Sequence, residues 1–220
     1  MEYLSHCHVL VVGLGGVGAY AAEQICRAGI GHMTIVDADT VNDSNINRQL
    51  PALHSTLGMQ KAEVVGQRLL DINPRLKLTI LNEFLRDERT EEVLSAQKYD
   101  FIVDAIDSLS PKAYLLYHAY RREIPIVSSM GAGAKIDPSQ VKIADISKTC
   151  NCALAKAVRK RLRGMGLNKG IPVVFSTEIA NPEAVVEVEN EQCKRTTTGT
   201  VSYMPAIFSC YLASYVIRNI

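Results

Sequence analysis

The 220-residue sequence has no tryptophan, no CxxC pair and almost no net charge, its 24 Lys and Arg offsetting 23 Asp and Glu to leave +1. Each lack excludes something. A balance this close to zero rules out a bulk polyanion binder, although a local basic patch can hide inside it. The six cysteines, at positions 7, 26, 150, 152, 193 and 210, follow no regular framework, which points to free thiols in a reducing compartment. Without CxxC pairs there is no structural zinc site to expect. No apolar leader precedes the first strand, so the chain reads as cytoplasmic. Residues 199–217 carry no charge, yet Thr200, Ser202, Tyr203, Pro205, Ser209, Tyr211 and Ser214 interrupt them. A membrane span wants about 20 mostly apolar residues. The segment is instead a helix starting near Pro205, buried in the core or at a subunit interface. Repeats, low-complexity tracts and linkers are also missing.

What is present is globular: 47% hydrophobic and 21% charged residues. Short apolar runs at His8–Val12, Met33–Val36, Leu76–Leu81, Phe101–Asp104 and Ile124–Ser128 read as strands. Between them Val17–Ala28, Leu57–Ile72, Asp87–Gln97 and Leu109–Arg122 read as amphipathic helices. Buried parallel strands with crossover helices have this pattern, so the expectation is a Rossmann-like, doubly wound α/β fold with a mostly parallel sheet. Beyond Gly133 the pattern becomes irregular. Val141–Ala144, Val173–Phe175 and Ala184–Val188 are candidate strands, Ala153–Arg163 a basic helix, and a final helix closes the chain. One domain, 1–220, is expected, with 1–136 as nucleotide-binding core and 137–220 as a substrate and dimer-interface portion.

Gly13-Leu-Gly15-Gly16-Val-Gly18 lies between the first strand and the first helix. There, glycines let backbone approach phosphate, and the helix N-terminus offers unpaired N–H groups. Asp37 ends the second strand 19 residues after Gly18, where an acid meets ribose hydroxyls. These features alone suit a dinucleotide oxidoreductase. The polar stretch Asp39–Gln49 suits it less, being long for a strand-to-helix turn. Asn45 and Arg48 lie within it, and Lys61 follows Arg48 by 13 residues. Two cations at the loop mouth fit a triphosphate. Asp107, beyond the fourth strand, is placed to hold Mg²⁺ between phosphates. Taken singly, Arg48 and Lys61 are equally well solvated surface charges, and Asp107 a helix cap. Together the set describes an ATP site.

In GLGGVG, IVDAD, NxNRQ, the lysine 13 residues on and DAIDS, the sequence resembles the ubiquitin-activating-enzyme-like adenylating superfamily, which includes the ThiF, MoeB and HesA proteins. The resemblance implies that Gly13, Gly15, Gly16 and Gly18 form the nucleotide loop and Asp37 binds ribose. It implies that Asn45, Arg48 and Lys61 contact phosphates and that Asp107 holds Mg²⁺. The implied chemistry is attack of a carboxylate on the α-phosphate of ATP, with Arg48, Lys61 and Asp107 as its catalytic residues. Further phrases, Arg27-Ala-Gly29-Ile-Gly31, Ile136-Asp137-Pro138, Val174–Glu178 and Lys194-Arg195, resemble the tRNA threonylcarbamoyladenosine dehydratases. That implies a tRNA substrate, cyclising dehydration through an adenylate, ligase-class chemistry and a homodimer.

The alternatives are adenylation of the C-terminal glycine of a small sulfur-carrier protein, with a carrier or cysteine-desulfurase-linked partner, and a nucleotide-binding module without catalysis. The run Lys156, Arg159, Lys160, Arg161, Arg163 and Lys169 contributes +6 and contains no acid, leaving the remainder at −5. By default such a run is a solvated face. Beside an ATP site in a relative of tRNA enzymes, Lys156, Arg159, Lys160 and Arg163 are candidates for tRNA phosphate contacts. No aromatic interleaves them, so they would track backbone and not read bases. Relatives carry an arginine, in a segment before the first strand, that reaches into the partner's ATP site. Only Met1–Cys7 precede that strand here, without an arginine; the expectation is either a trimmed start or a chain that lacks this contact and is impaired. Cys193 stands near the position of a late catalytic cysteine in some relatives. Cys150 and Cys152 are a weak metal pair. Cys7, Cys26 and Cys210 are expected in the core, and His54 is the one histidine near the nucleotide loop in sequence.

Overall fold

The structure is a computed structural model that describes residues 3–181, 184–191 and 194–220, with the backbone alone over 185–191 and 194–198. Cys193 lies outside the described residues. Seven strands form one sheet in the order β3-β2-β1-β4-β5-β7-β6. They are β1 (His8–Val12), β2 (His32–Val36), β3 (Lys77–Leu81), β4 (Phe101–Asp104), β5 (Ile126–Ser129), β6 (Val141–Asp145) and β7 (Pro172–Ser176). All pair in parallel except β6, which runs antiparallel to β7. A separate hairpin joins β8 (Val185–Glu191) to β9 (Lys194–Thr198).

The central strands are apolar because both of their faces are covered. All five residues of β1 are buried. Val9 and Val11 point into one cluster and Leu10 and Val12 into the other. The first cluster lies beneath α1 (Gly18–Arg27), α2 (Lys61–Ile72) and α6 (Tyr203–Asn219). The second lies beneath α3 (Glu88–Ala96), α4 (Leu109–Arg121) and α5 (Ala153–Gly164).

Two helix starts differ from the sequence reading. Leu57 does not open α2. Residues His54–Thr56 form a 3-10 turn, Gly58 takes φ +79°, and Thr40 bridges Gln60, so the helix begins at Lys61. The polar loop is thus folded back against the second strand's exit, with Val41 and Ala52 buried while Leu53, Leu57 and Met59 stay exposed. α6 begins at Tyr203, with Pro205 in its third position; a missing N–H is harmless anywhere in the first turn. Met204, Phe208, Leu212 and Val216 of α6 are fully buried, so this helix is core. No helix among the described residues is long and apolar enough to cross a membrane. Cys7 and Cys26 are buried as expected, but Cys210 is exposed: α6 turns Ser209 inward, and the next residue falls on the outer face.

Candidate functional site

The strand order reverses between β1 and β4, the place where open α/β sheets have their ligand crevice, outside the carboxyl ends of the strands. The glycine loop occupies it. Gly13 has φ +87°, and a Cβ on it would stand 2.8 Å from the Ala105 carbonyl oxygen, in the loop that leaves β4. At Gly18 a Cβ would lie 1.7 Å from the Gly13 oxygen. Neither position admits a side chain, so the sequence pattern reflects tight closure of the turn. α1 starts without a side-chain cap, which leaves its N-terminal dipole end for a ligand.

Around this loop the structure brings together most of the residues expected from sequence. Asp37 accepts hydrogen bonds from the Leu14 N–H at 2.6 Å and the Asp39 N–H at 2.8 Å. Burial pushes its carboxyl above the ordinary value, against the pull of Lys61 and the two N–H donors. The acid therefore belongs to the glycine loop before any ligand arrives. Asn45 is buried and its backbone carbonyl receives the Arg48 and Gln49 N–H groups. Arg48 Nη1 donates to the Ser44 carbonyl and to Asn47 Oδ1, each at 2.7 Å. Its own carbonyl oxygen lies 3.4 Å from where a Gly16 Cβ would be. Lys61 is only 4% exposed, and its Nζ pairs with Asp39 at 2.8 Å. Asp107 is exposed at the tip of the loop after β4.

Several participants escaped the sequence reading. The Gln49 amide lies over Gly15, its Nε2 3.7 Å from where a Cβ on that glycine would stand, and its buried Oε1 has no partner among the described residues. A polar atom left so in a nucleotide crevice awaits a water or a ligand. Pro205, at the start of α6, approaches to within 3.1 Å of a Cβ on Gly16. Asn47 Nδ2 donates to the Thr200 carbonyl at 3.1 Å, joining the polar loop to the segment before α6. Beneath the site, Asp104 pairs with Lys112 at 2.8 Å, both fully buried. A carboxylate inside an apolar strand was the available signal, since such a group requires a partner.

The basic run lies on α5. Lys156, Lys160 and Arg163 are exposed, whereas Arg159 is half-buried and donates to the Thr149 carbonyl at 3.0 Å and to its hydroxyl. Cys150 is exposed. Cys152 caps α5, its Sγ accepting the Ala155 N–H at 3.4 Å. Among the described residues no group of three or more His, Cys, Asp or Glu is placed to hold a metal. His54 is exposed on its turn.

The crevice, with its glycine turn, acid and cations, defines a nucleotide-binding α/β protein. The chain belongs to the ThiF family, which matches residues 1–220. It is 36% identical over 227 residues to the tRNA threonylcarbamoyladenosine dehydratase of Bacillus subtilis (strain 168), covering 100% of this chain and 89% of that one. Identity to the enzyme of the same name from Escherichia coli (strain K12) is 40% over 185 residues, covering 81% and 69%. The crystal structure of E. coli tRNA N6-threonylcarbamoyladenosine dehydratase, TcdA, in complex with ATP superposes with a TM-score of 0.87 at 34% identity, covering 99% of this chain and 86% of that one.

Proposed function

We propose that this chain is an ATP-dependent tRNA threonylcarbamoyladenosine dehydratase. The observation that carries the reading is the crevice itself, a glycine turn closed onto Ala105 with Asp37, Arg48, Lys61 and Asp107 around it, in a chain similar over its whole length to enzymes of that name. In the reaction, the carboxylate of the modified tRNA adenosine attacks the α-phosphorus of ATP and pyrophosphate leaves. The carbonyl oxygen of the neighbouring carbamoyl group then attacks the acyl carbon. AMP departs with the former carboxylate oxygen and a ring closes, for net loss of water. The substrate supplies its own nucleophile, so the enzyme's work is placement and charge neutralisation.

Asp37 accepts from ribose, the glycine-loop amides and the α1 N-terminus take phosphate oxygens, and Arg48 with Lys61 neutralises the leaving pyrophosphate. Asp39, half-exposed and paired with Lys61 at 2.8 Å, releases it as phosphate enters. The exposed carboxylate of Asp107, two residues beyond the Ala105 carbonyl that underlies Gly13, suits Mg²⁺, whose contribution when bound is neutralisation of phosphate charge. Lys156, Lys160 and Arg163 supply exposed cations for tRNA phosphates. A homodimer accompanies this reading, and light scattering tests it.

The decisive experiment is mass spectrometry of nucleosides from tRNA incubated with the protein and ATP–Mg²⁺. Loss of 18 mass units, about one water, from threonylcarbamoyladenosine with stoichiometric AMP is the expected result. An unchanged nucleoside peak overturns the reading. Pyrophosphate exchange that requires a sulfur-carrier protein would replace it with the carrier-activating alternative.

A further inference from the structure

Asp104 and Lys112 form a fully buried ion pair that the reaction above does not use. Asp104 ends β4, and its Oδ2 meets Lys112 Nζ at 2.8 Å and the Ser128 hydroxyl of β5 at 2.6 Å. Its Oδ1 accepts the Ile106 N–H at 3.0 Å. Lys112 Nζ also donates to the Ile106 carbonyl at 2.7 Å. The pair therefore grips Ile106 by both of its backbone groups. On one side of Ile106, the Ala105 N–H is bonded to the Val12 carbonyl at 2.8 Å and its own carbonyl lies under Gly13. On the other side stands Asp107.

Taking two charges out of water is expensive, and a well-packed apolar pair of similar volume is commonly as stable or more so. Stability alone does not account for an aspartate and a lysine at this place. What the pair does supply is direction. An apolar pair would leave both Ile106 groups without these bonds and the next residue free to shift against the glycine turn.

We propose that Lys112 is a positioning residue: acting through Asp104 and the Ile106 backbone, it fixes the Asp107 carboxylate against the glycine turn so that ATP–Mg²⁺ is bound in reactive register. The inference rests on the site assignment made above for Asp107. The Lys112 side chain is 0% exposed, so it acts from beneath the site and not at its surface.

The test uses the full chain carrying Lys112→Met alone and Asp104→Leu/Lys112→Met together. The single variant strands a buried carboxylate and is expected to melt well below the wild type. The double variant removes both charges and is expected to recover most of that melting temperature. It should nevertheless bind ATP–Mg²⁺ more weakly by calorimetry and release AMP about 100-fold more slowly, the scale of rate loss that accompanies a misplacement of about 1 Å. Its Mg²⁺ requirement should rise while KM for tRNA stays unchanged, and its crystal structure should show Asp107 displaced relative to Gly13. A double variant that melts, binds ATP–Mg²⁺ and places Asp107 as the wild type does would overturn the proposal. The two readings fail separately, because tRNA dehydration by the wild type tests the substrate, whereas Asp107 placement and ATP–Mg²⁺ affinity test the clamp.

Discussion

At the scale of single residues, Arg48 and Asp107 differ from Asn45 and Lys61 in their exposure. Arg48 is half-exposed and Asp107 exposed, while Asn45 and Lys61 beside them are buried. Arg48→Ala and Asp107→Ala are therefore expected to shift the melting temperature by no more than about 2 °C. Both should cut adenylation about 100-fold or more, because each removes a charge from the reacting phosphates. Differential scanning calorimetry beside AMP release checks this, and normal turnover in either variant would remove that residue from the site. Asp37 and Lys61 also hold their own loops in place, through the Leu14 N–H and through Asp39. The types and spacing of these residues were readable in sequence. Their partners were not, since Asp39 reads as one more polar loop residue until Lys61 is folded back onto it.

Among elements, α1 and α2 are tied by Glu23, which is 7% exposed and receives Arg27 Nε at 2.8 Å and Arg68 Nε at 2.6 Å. Burial alone would raise its carboxyl, but the hydrogen bonds from Arg68 and Arg27 outweigh burial and hold it below the ordinary 4.5. A carboxyl depressed by folding stabilises the native state above its unfolded value and loses that contribution as pH falls through the folded one. Glu23→Gln is expected to cost about 1 kcal/mol at pH 7, with both arginines half-exposed and partly screened. Urea midpoints for variant and wild type should draw together as pH falls below 4.5 and through the depressed Glu23 carboxyl. A gap that does not narrow at all as the solution is acidified would show that the ion pairs are not its source.

α5 supplies the second test at this scale. Its apolar side, Ala155, Val158 and Leu162, is buried, and the helix packs against α4. Its remaining cations follow from helical spacing alone, apart from Arg159, which the fold turns toward Thr149. Replacing Lys156, Lys160 and Arg163 by Ala should raise KM for tRNA without altering KM for ATP. The slope of log affinity against log salt should fall by about 0.7–0.9 for each phosphate that is no longer neutralised. An unchanged slope would return α5 to an ordinary solvated face.

For the whole molecule, β6 and β7 extend the sheet begun by the first five strands, and α6 lies on α1 beneath the same apolar cluster. The last helix thereby reaches the first loop. Ser209 donates to the Val17 carbonyl at 2.6 Å, and Pro205 rests against Gly16. The bland charge balance divides spatially as well, with exposed cations gathered along α5.

Local physics made much of this chain legible from its letters. Short continuous apolar runs that alternate with amphipathic helices read as strands covered on both faces, and a glycine turn between strand and helix lets the backbone close tightly. Those two features determined the fold class and the nucleotide loop; the family needed the further set of Asn45, Arg48, Lys61 and Asp107 at their spacing. Tertiary structure alone decided that α2 starts at Lys61, that Cys210 faces outward, and that Asp104 and Lys112 meet beneath the loop of Asp107. Each depends on contacts between segments whose geometry no local pattern encodes. Burial then sets the terms: a charge removed from water must find its partner wherever the fold brings one.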